Sequence, residues 1–269
     1  MTTIYLGSVL LEPNRWTKDK TPTIRVSEWI GRARSAGFDG IELWENHYRR
    51  AIGGNEERQA LQVSGFVAIF NTYTGFGPED SEKRLQTSEA IRALGPRVTG
   101  VKFNVSRTAS EPARLAAECR TARDWGRQLP AQVRLLCECH PGTPLETPAA
   151  AAPVFAGEWA DTTRFAAIVH PFIYDVPESL RAWAESIGAS RIAHIHVQVC
   201  TPEDRRVRLD QRPAQVRQTL RLLKEAGVRD ASWTLEFTEG TGTPDGDVPE
   251  RLWENALRDL AFLRTELDR

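Results

Sequence analysis

Short apolar runs alternate along the chain with longer stretches in which apolar residues recur every three or four positions. Eight of the short runs read as strands: 4–10 (I-Y-L-G-S-V-L), 40–44 (G-I-E-L-W), 64–70 (S-G-F-V-A-I-F), 98–105 (V-T-G-V-K-F-N-V), 133–139 (V-R-L-L-C-E-C), 164–170 (R-F-A-A-I-V-H), 192–198 (I-A-H-I-H-V-Q) and 232–238 (S-W-T-L-E-F-T). The clearest helical stretches are 24–37, 81–95, 112–125 and 248–263. Gly37, Gly95, Gly188 and Gly227 stand where such helices should stop. Repeated β-then-α units predict a parallel sheet. Eight of them, with no break in composition, predict an α/β protein, a single (β/α)8 TIM barrel forming one domain over 1–269. An open doubly wound sheet is the rival, but no G-x-G-x-x-G or P-loop follows any strand. The glycine-rich stretch 240–246 reads as a loop that could hold a phosphate, although such stretches are more often only flexible.

Strand periodicity then separates two faces, because residues two apart point the same way. In 135–143 (L-L-C-E-C-H-P-G-T), Glu138 and His140 share one face and Cys137 and Cys139 the other. The same parity groups His194, His196 and Gln198 against Ile195 and Val197, and Thr234, Glu236 and Thr238 against Leu235 and Phe237. It also groups Lys102 and Asn104 against Val101, Phe103 and Val105, while His170 ends the sixth strand. In a barrel the apolar sets face the helices and the polar sets face the lumen, where catalytic groups gather at the C-terminal strand ends. An unpaired buried carboxylate is costly, so Glu138 needs a partner. A divalent cation held by Glu138, His170, His196 and Glu236 is the expected one, a mixed nitrogen and oxygen set that suits first-row metals. Mn2+ is the first choice, with Co2+, Fe2+, Mg2+ or Zn2+ as alternatives. If His170 turns away, Asp175 or His140 is the residue expected to take its place. The plainer reading pairs the glutamates with Lys102 or an arginine in a polar core.

Further residues are expected to meet a substrate. Trp44 shares a face with Glu42 at the mouth of the second strand and could wall a sugar ring or simply pack in the core. Lys102 could polarise a carbonyl or merely neutralise the acids. His140 could touch substrate or stabilise its loop, and Gln198 continues the seventh-strand polar face. Arg205, Arg206 and Arg208 follow that strand; they could reach an anionic substrate or form a solvated charged loop. His194 lies one layer deeper, as a hydrogen-bonded support for its neighbours.

Composition excludes several classes. Lys and Arg total 35 against 36 Asp and Glu, for a formal charge of -1, which gives no electrostatic reason to expect nucleic acid or an anionic membrane. No run approaches the roughly 18 apolar residues of a membrane span, and M-T-T-I-Y-L-G has no basic leader, so no signal peptide is expected. The four cysteines form no C-x-x-C pair, which fits free thiols in a reducing cytoplasm.

The residues F-D-G-I-E-L, E-C-H-P-G-T, H-I-H-V-Q and L-E-F, in this order and spacing, resemble the xylose-isomerase-like barrel superfamily, the sugar phosphate isomerase/epimerase group. The resemblance covers nearly the whole chain. It implies one metal held at Glu138, His170, His196 and Glu236, with Glu138 and Glu236 as the catalytic pair that moves a proton on opposite faces of a substrate carbon. His170 stands where most relatives have Asp, Ile173 where many have His, and Gln198 where a charged residue is common. These departures imply a preformed keto-sugar or keto-glycoside rather than an aldose.

The expected function is a divalent-metal-dependent sugar or keto-sugar isomerase/epimerase acting by proton abstraction next to a carbonyl. The alternatives are a lyase/dehydratase or a keto-glycoside-cleaving enzyme on the same site, or a carbohydrate-binding barrel without catalysis. An apurinic endonuclease is disfavoured, because the third and fourth strands end in Asn71 and Asn104 where those enzymes have extra histidines, and the chain is not basic. The expected partner is a small-molecule sugar; self-association into a homo-oligomer stays open.

Overall fold

The computed structural model describes residues 2–106, 111–173, 177–201, 203, 205–242 and 248–269. Asp175 and residues 243–246 of the glycine-rich stretch lie outside the described residues. Eight parallel strands close into a barrel: β1 (Ile4–Gly7), β2 (Gly40–Trp44), β3 (Val67–Asn71), β4 (Gly100–Phe103), β5 (Arg134–Glu138), β6 (Phe165–Val169), β7 (Ile192–Val197) and β8 (Ser232–Leu235). Each pairs with its neighbours in chain order, and β1 closes the ring against β8 through Ile4–Trp233, Tyr5–Thr234 and Leu6–Leu235. Helices on the outside connect the strands, among them α1 (Ser27–Ala36) and, further on, α4 (Ser81–Leu94), α5 (Pro112–Gly126) and the long C-terminal α9 (Pro249–Leu267). Among the described residues, no helix is long and apolar enough to cross a membrane.

All eight expected strands form, and their ends differ from the expected ranges for local reasons. Residues 8–10 leave the sheet because Ser8–Leu11 coils into a 3-10 helix. Ser64 and Gly65 close a helix, with Gly65 in the left-handed region at φ 54, so β3 starts only at Val67. A two-stranded antiparallel hairpin, Val199–Cys200 with Arg206–Val207, follows β7 and was not foreseen.

Parity decides where the core sits. The outward residues of the strands, among them Leu135, Cys137, Ile195, Val197, Val101 and Phe103, join the helices in one large apolar cluster. A smaller cluster of Tyr5, Ile69, Leu136, Ala166 and Ile168 fills the lower lumen. Burying side chains of this size contributes about 1.5–3 kcal/mol each. Glycine at two inward positions makes room for them: a Cβ on Gly100 would stand 2.7 Å from the Leu136 side chain, and one on Gly40 3.2 Å from Tyr5. The plug closes the floor of the barrel, so polar groups above it can be reached only from the C-terminal end.

Thr238, expected in the lumen, turns instead to α9, where its hydroxyl donates to Asp259 Oδ2 at 2.6 Å. Asp259 Oδ1 also accepts the Leu209 N–H at 2.7 Å. One buried carboxyl therefore ties α9 to the loops after β7 and β8. Burial pushes its pKa up from 3.8 to about 7, with the Thr238 and Leu209 hydrogen bonds opposing the shift. Between those two values the folded chain keeps a proton that the unfolded chain has released. The stability from this group is thus present at low pH and is lost as pH rises through about 7, by about 4 kcal/mol at most. Asp259→Asn should keep both contacts, with the amide oxygen accepting from Leu209 and the amide nitrogen donating to Thr238. Urea unfolding of the variant is expected to give a flatter stability profile between pH 5 and 8, with a gain at pH 8. An unchanged slope would show that Asp259 is ionised in the folded protein.

Candidate metal and substrate site

The strand ends bring the carboxylates and imidazoles together around one point. Glu138 Oε1 lies 3.2 Å from His170 Nε2 and 3.4 Å from His196 Nδ1. Glu236 Oε2 lies 3.3 Å from His196 Nδ1 and 3.7 Å from His170 Nδ1. The two imidazoles meet edge to face, with centroids 4.8 Å apart. Gln198 Nε2 donates to Glu236 Oε2 at 3.0 Å. Asn104 Nδ2 donates to Glu138 Oε2 at 3.1 Å. All four residues of the expected ligand set are buried.

Two further charges complete the cluster. Glu42, which sequence parity places on the lumen face without a role, accepts from His196 Nε2 at 3.0 Å and lies 3.3 Å from His194 Nε2. Asn71 Nδ2 donates to its other oxygen at 2.8 Å. Because an ionised carboxylate can only accept, His196 Nε2 donates to Glu42; Nδ1 faces Glu138 and Glu236, and a cation bound there would take the place of its proton. Lys102 reaches up from β4 and its Nζ lies 2.7 Å from Glu138 Oε2, an ion pair buried on both sides.

The electrostatics follow from this packing. Burial alone would raise the pKa of Glu138, but the Lys102 ammonium and the two imidazoles hold it well below the carboxylate range. Glu42 is also held well below its usual value against burial, by His196 and His194. Glu236 is lowered less: burial opposes the shift, and His196 and His170 carry it. Burial lowers His170 and His194. For His196, burial is outweighed by Glu236 and Glu42, which hold the imidazole well above its usual value. Nδ1 of His196 therefore sits between two carboxylates that call for a positive charge there.

A cavity of about 1430 Å³ opens above this cluster, lined by Glu138 and Glu236 together with Lys102, His140 and Gln198 of the expected substrate residues. His140 stands at the rim, its ring edge-on to His170 at 5.3 Å. Two expectations change. Trp44 is fully buried and packs with Val9 and Phe237 instead of joining the cavity wall. The reason is that helix α2 (Glu45–Arg49) starts directly after β2 and folds His47 over the indole at 5.1 Å. Arg205 is exposed and outside the cavity lining, whereas Arg206 lines it, because the hairpin pairs Arg206 with Cys200 and alternation turns its neighbour outward. Arg208 is occupied by Glu239 and Asp210. Arg15, Trp16 and Tyr73 also line the cavity. Arg15 and Trp16 come from a single 3-10 turn (Pro13–Trp16) and Tyr73 from the loop after β3, where no strand or helix periodicity could have marked them.

No protein-family model matches the sequence, and no curated protein matches it. Solved structures do match, over nearly their whole length. A D-psicose 3-epimerase solved in the presence of D-fructose is 14% identical, with a TM-score of 0.67 and 99% of both chains covered. A xylose isomerase domain containing protein from Salmonella typhimurium LT2 is 12% identical, with a TM-score of 0.62 and 96% of this chain and 97% of that one covered. A family 2 AP endonuclease from Brucella melitensis is 13% identical, with a TM-score of 0.60 and 95% and 98% covered. The fold this chain shares with them is the (β/α)8 barrel. On such a barrel, what the site does must be argued from its own residues.

Those residues fit a divalent cation. His196 Nδ1 is buried and has no hydrogen-bond partner. Ligand atoms of Glu138, His170 and His196 all lie within 4.8 Å of one another, as do those of Glu42, His194 and His196. Donors about 2.1 Å from a common ion in tetrahedral arrangement stand about 3.4 Å apart, and the separations around His196 Nδ1 are 3.3 and 3.4 Å. Three lumen carboxylates face one ammonium, and burial lowers His170 and His194; with His196 neutral, as an imidazole that binds a metal must be, two negative charges remain for a 2+ ion to balance. The set around Glu138 is the better one, since the second set also hydrogen-bonds His194 to Thr234 and Ser232. Calorimetric titration with Mn2+ should give one ion per chain. His196→Ala should lose most of that binding, and Glu42→Gln, which removes the charge behind the imidazole, should weaken it about 10- to 100-fold. Undiminished affinity in His196→Ala would remove this cluster as the metal centre.

Proposed function

We propose that the protein is a divalent-metal-dependent isomerase or epimerase of a sugar or keto-sugar, acting by proton transfer at the carbon next to a carbonyl. The observation that carries this reading is the pair of carboxylates, Glu138 and Glu236, both touching His170 and His196 and both lining one cavity at the C-terminal face of the barrel. A pocket that only binds sugar needs no ionised base at its floor.

Glu138, His170, His196 and Glu236 would hold the ion, which when bound supplies a Lewis acid beside the substrate carbonyl. The chain's own residues divide the proton work. Lys102 is paired with Glu138 at 2.7 Å, whereas Glu236 is met by the neutral amide of Gln198, so Glu236 is the freer of the two carboxylates to act as base. Glu236 removes the proton next to the carbonyl. Glu138, with Lys102 beside it, faces the other side, where it takes up a proton in one direction of the reaction and, once protonated, returns it in the other. Gln198 orients Glu236 through its 3.0 Å hydrogen bond. Ile173 leaves one part of the cavity wall without a hydrogen-bonding group, which favours a preformed keto-sugar over an aldose whose ring must first be opened.

Deuterium uptake from D2O into ketoses, followed by NMR with Mn2+-loaded protein, tests the reading. Exchange at the carbon next to the carbonyl is expected in the wild type. Glu236→Gln, which keeps an amide oxygen in place, should lower it by at least about 100-fold, the scale on which a positioned base contributes. Undiminished exchange in that variant would remove Glu236 as the base. Sugar binding with no exchange in any protein would leave a carbohydrate-binding barrel without catalysis.

A further inference from the structure

The mouth of the cavity carries cations that the carboxylate cluster does not use. Arg15, on the loop after β1, and Arg206, on the hairpin after β7, both line it and are half-buried. Both guanidinium groups stack near one indole: Arg15 Cζ lies 5.4 Å from the Trp16 ring centre and Arg206 Cζ 4.8 Å. Arg206 also lies 4.8 Å over Phe237, the residue after Glu236, and Arg15 lies 5.3 Å over Tyr73. Lys102, bound to Glu138, approaches the same Tyr73 ring at 5.9 Å. Arg15 and Arg206 thus stand on aromatic supports that lead back to the two carboxylates.

Neither arginine is neutralised. Among the described residues, neither forms an ion pair, and the Nε of each is buried without a hydrogen-bond partner. Neighbouring arginines differ: Arg49 is bound to Glu45, and Arg208 to Glu239 and Asp210. Two guanidinium groups without an acidic partner, side by side at one indole, offer a fork that suits a planar or tetrahedral oxyanion.

The loop that presents Arg15 is held before any ligand arrives. Glu12 accepts from the backbone of Asn14 and Thr23, each at 2.9 Å, and from the Thr23 hydroxyl at 2.7 Å. His47 Nε2 donates to Glu12 at 3.0 Å, while Ser8 Oγ lies 2.9 Å from His47 Nδ1 and accepts the Trp44 N–H. Ser8, His47 and Glu12 have the order of a nucleophilic triad, but each is 1% exposed and none lines the cavity. They brace the loop.

We propose that the substrate carries an oxyanionic group, a phosphate ester or a carboxylate, which Arg15 and Arg206 clamp at the cavity mouth while its carbonyl end reaches Glu138 and Glu236. This rests on the proposed sugar chemistry for the second half only. The test is calorimetric binding of D-fructose, D-fructose 6-phosphate and the keto-uronate D-fructuronate to the full chain with Mn2+ present. One of the two anions is expected to bind at least tenfold more tightly than D-fructose, the phosphate ester or the uronate identifying the group by its preference. Arg15→Gln and Arg206→Gln should each abolish that preference, while Arg221→Gln, on the outer surface, should leave it intact. Equal affinity for all three sugars, or a preference that survives both cavity substitutions, overturns the clamp. Deuterium exchange that fails while the arginine-dependent preference holds would overturn the reaction and leave the clamp standing.

Discussion

Three carboxylates share the lumen of one barrel, and burying them is the constraint from which the site takes its form. An isolated buried carboxylate would be neutralised by taking up a proton. Here each one is met by positive charge or by hydrogen bonds: Glu42 by His196, His194 and Asn71, Glu138 by Lys102 and Asn104, and Glu236 by Gln198 and His196. His196 is the hinge of the arrangement, because its two nitrogens face different acids. Binding Nε2 to Glu42 leaves Nδ1 aimed at the gap between Glu138 and Glu236. The ring orientation and the direction in which Nδ1 faces follow from a single hydrogen bond.

The barrel makes this affordable by rigidity. Strand ends locked by parallel pairing on both sides hold donors to within a hydrogen-bond length, and the apolar plug below keeps the polar layer reachable from one face only. The mouth is built differently, from loops that a sheet cannot brace. Glu12 takes over that task for the loop after β1, and Asp259 for the segments after β7 and β8. Floor and rim are therefore separately supported, and a change of substrate can be accommodated at the rim without disturbing the charge balance of the floor.

The shared barrel shape at 12–14% identity sets the limit of what likeness conveys. An epimerase and an endonuclease are both superimposable on this chain, so the backbone alone does not choose between a sugar and a nucleic acid. The lumen residues do more. The cavity floor carries two carboxylates, Glu138 and Glu236, and the sequence has 35 basic residues against 36 acidic ones, a formal charge of -1.

Eight strands and their inward and outward faces were legible in the sequence, because a period of two survives any tertiary arrangement and a closed barrel has to bury one face against helices. Glu138, His170, His196 and Glu236 were legible for the same reason, as polar residues at strand ends where apolar ones are the rule. Contacts across the lumen were not. Glu42 meets His196 from 154 residues away, and nothing in either strand announces the other; closure of the sheet brings them together. The rim was equally hidden. Trp44 followed the right parity into a buried layer, since a helix closed over it, and the two-residue alternation of a hairpin selected Arg206 over Arg205. Thr238 kept strand parity only until the strand ended, after which Asp259 on α9 captured it. Periodic backbone writes itself into local sequence. Loop geometry and lumen contacts are decided by which distant surfaces the closed barrel presses together.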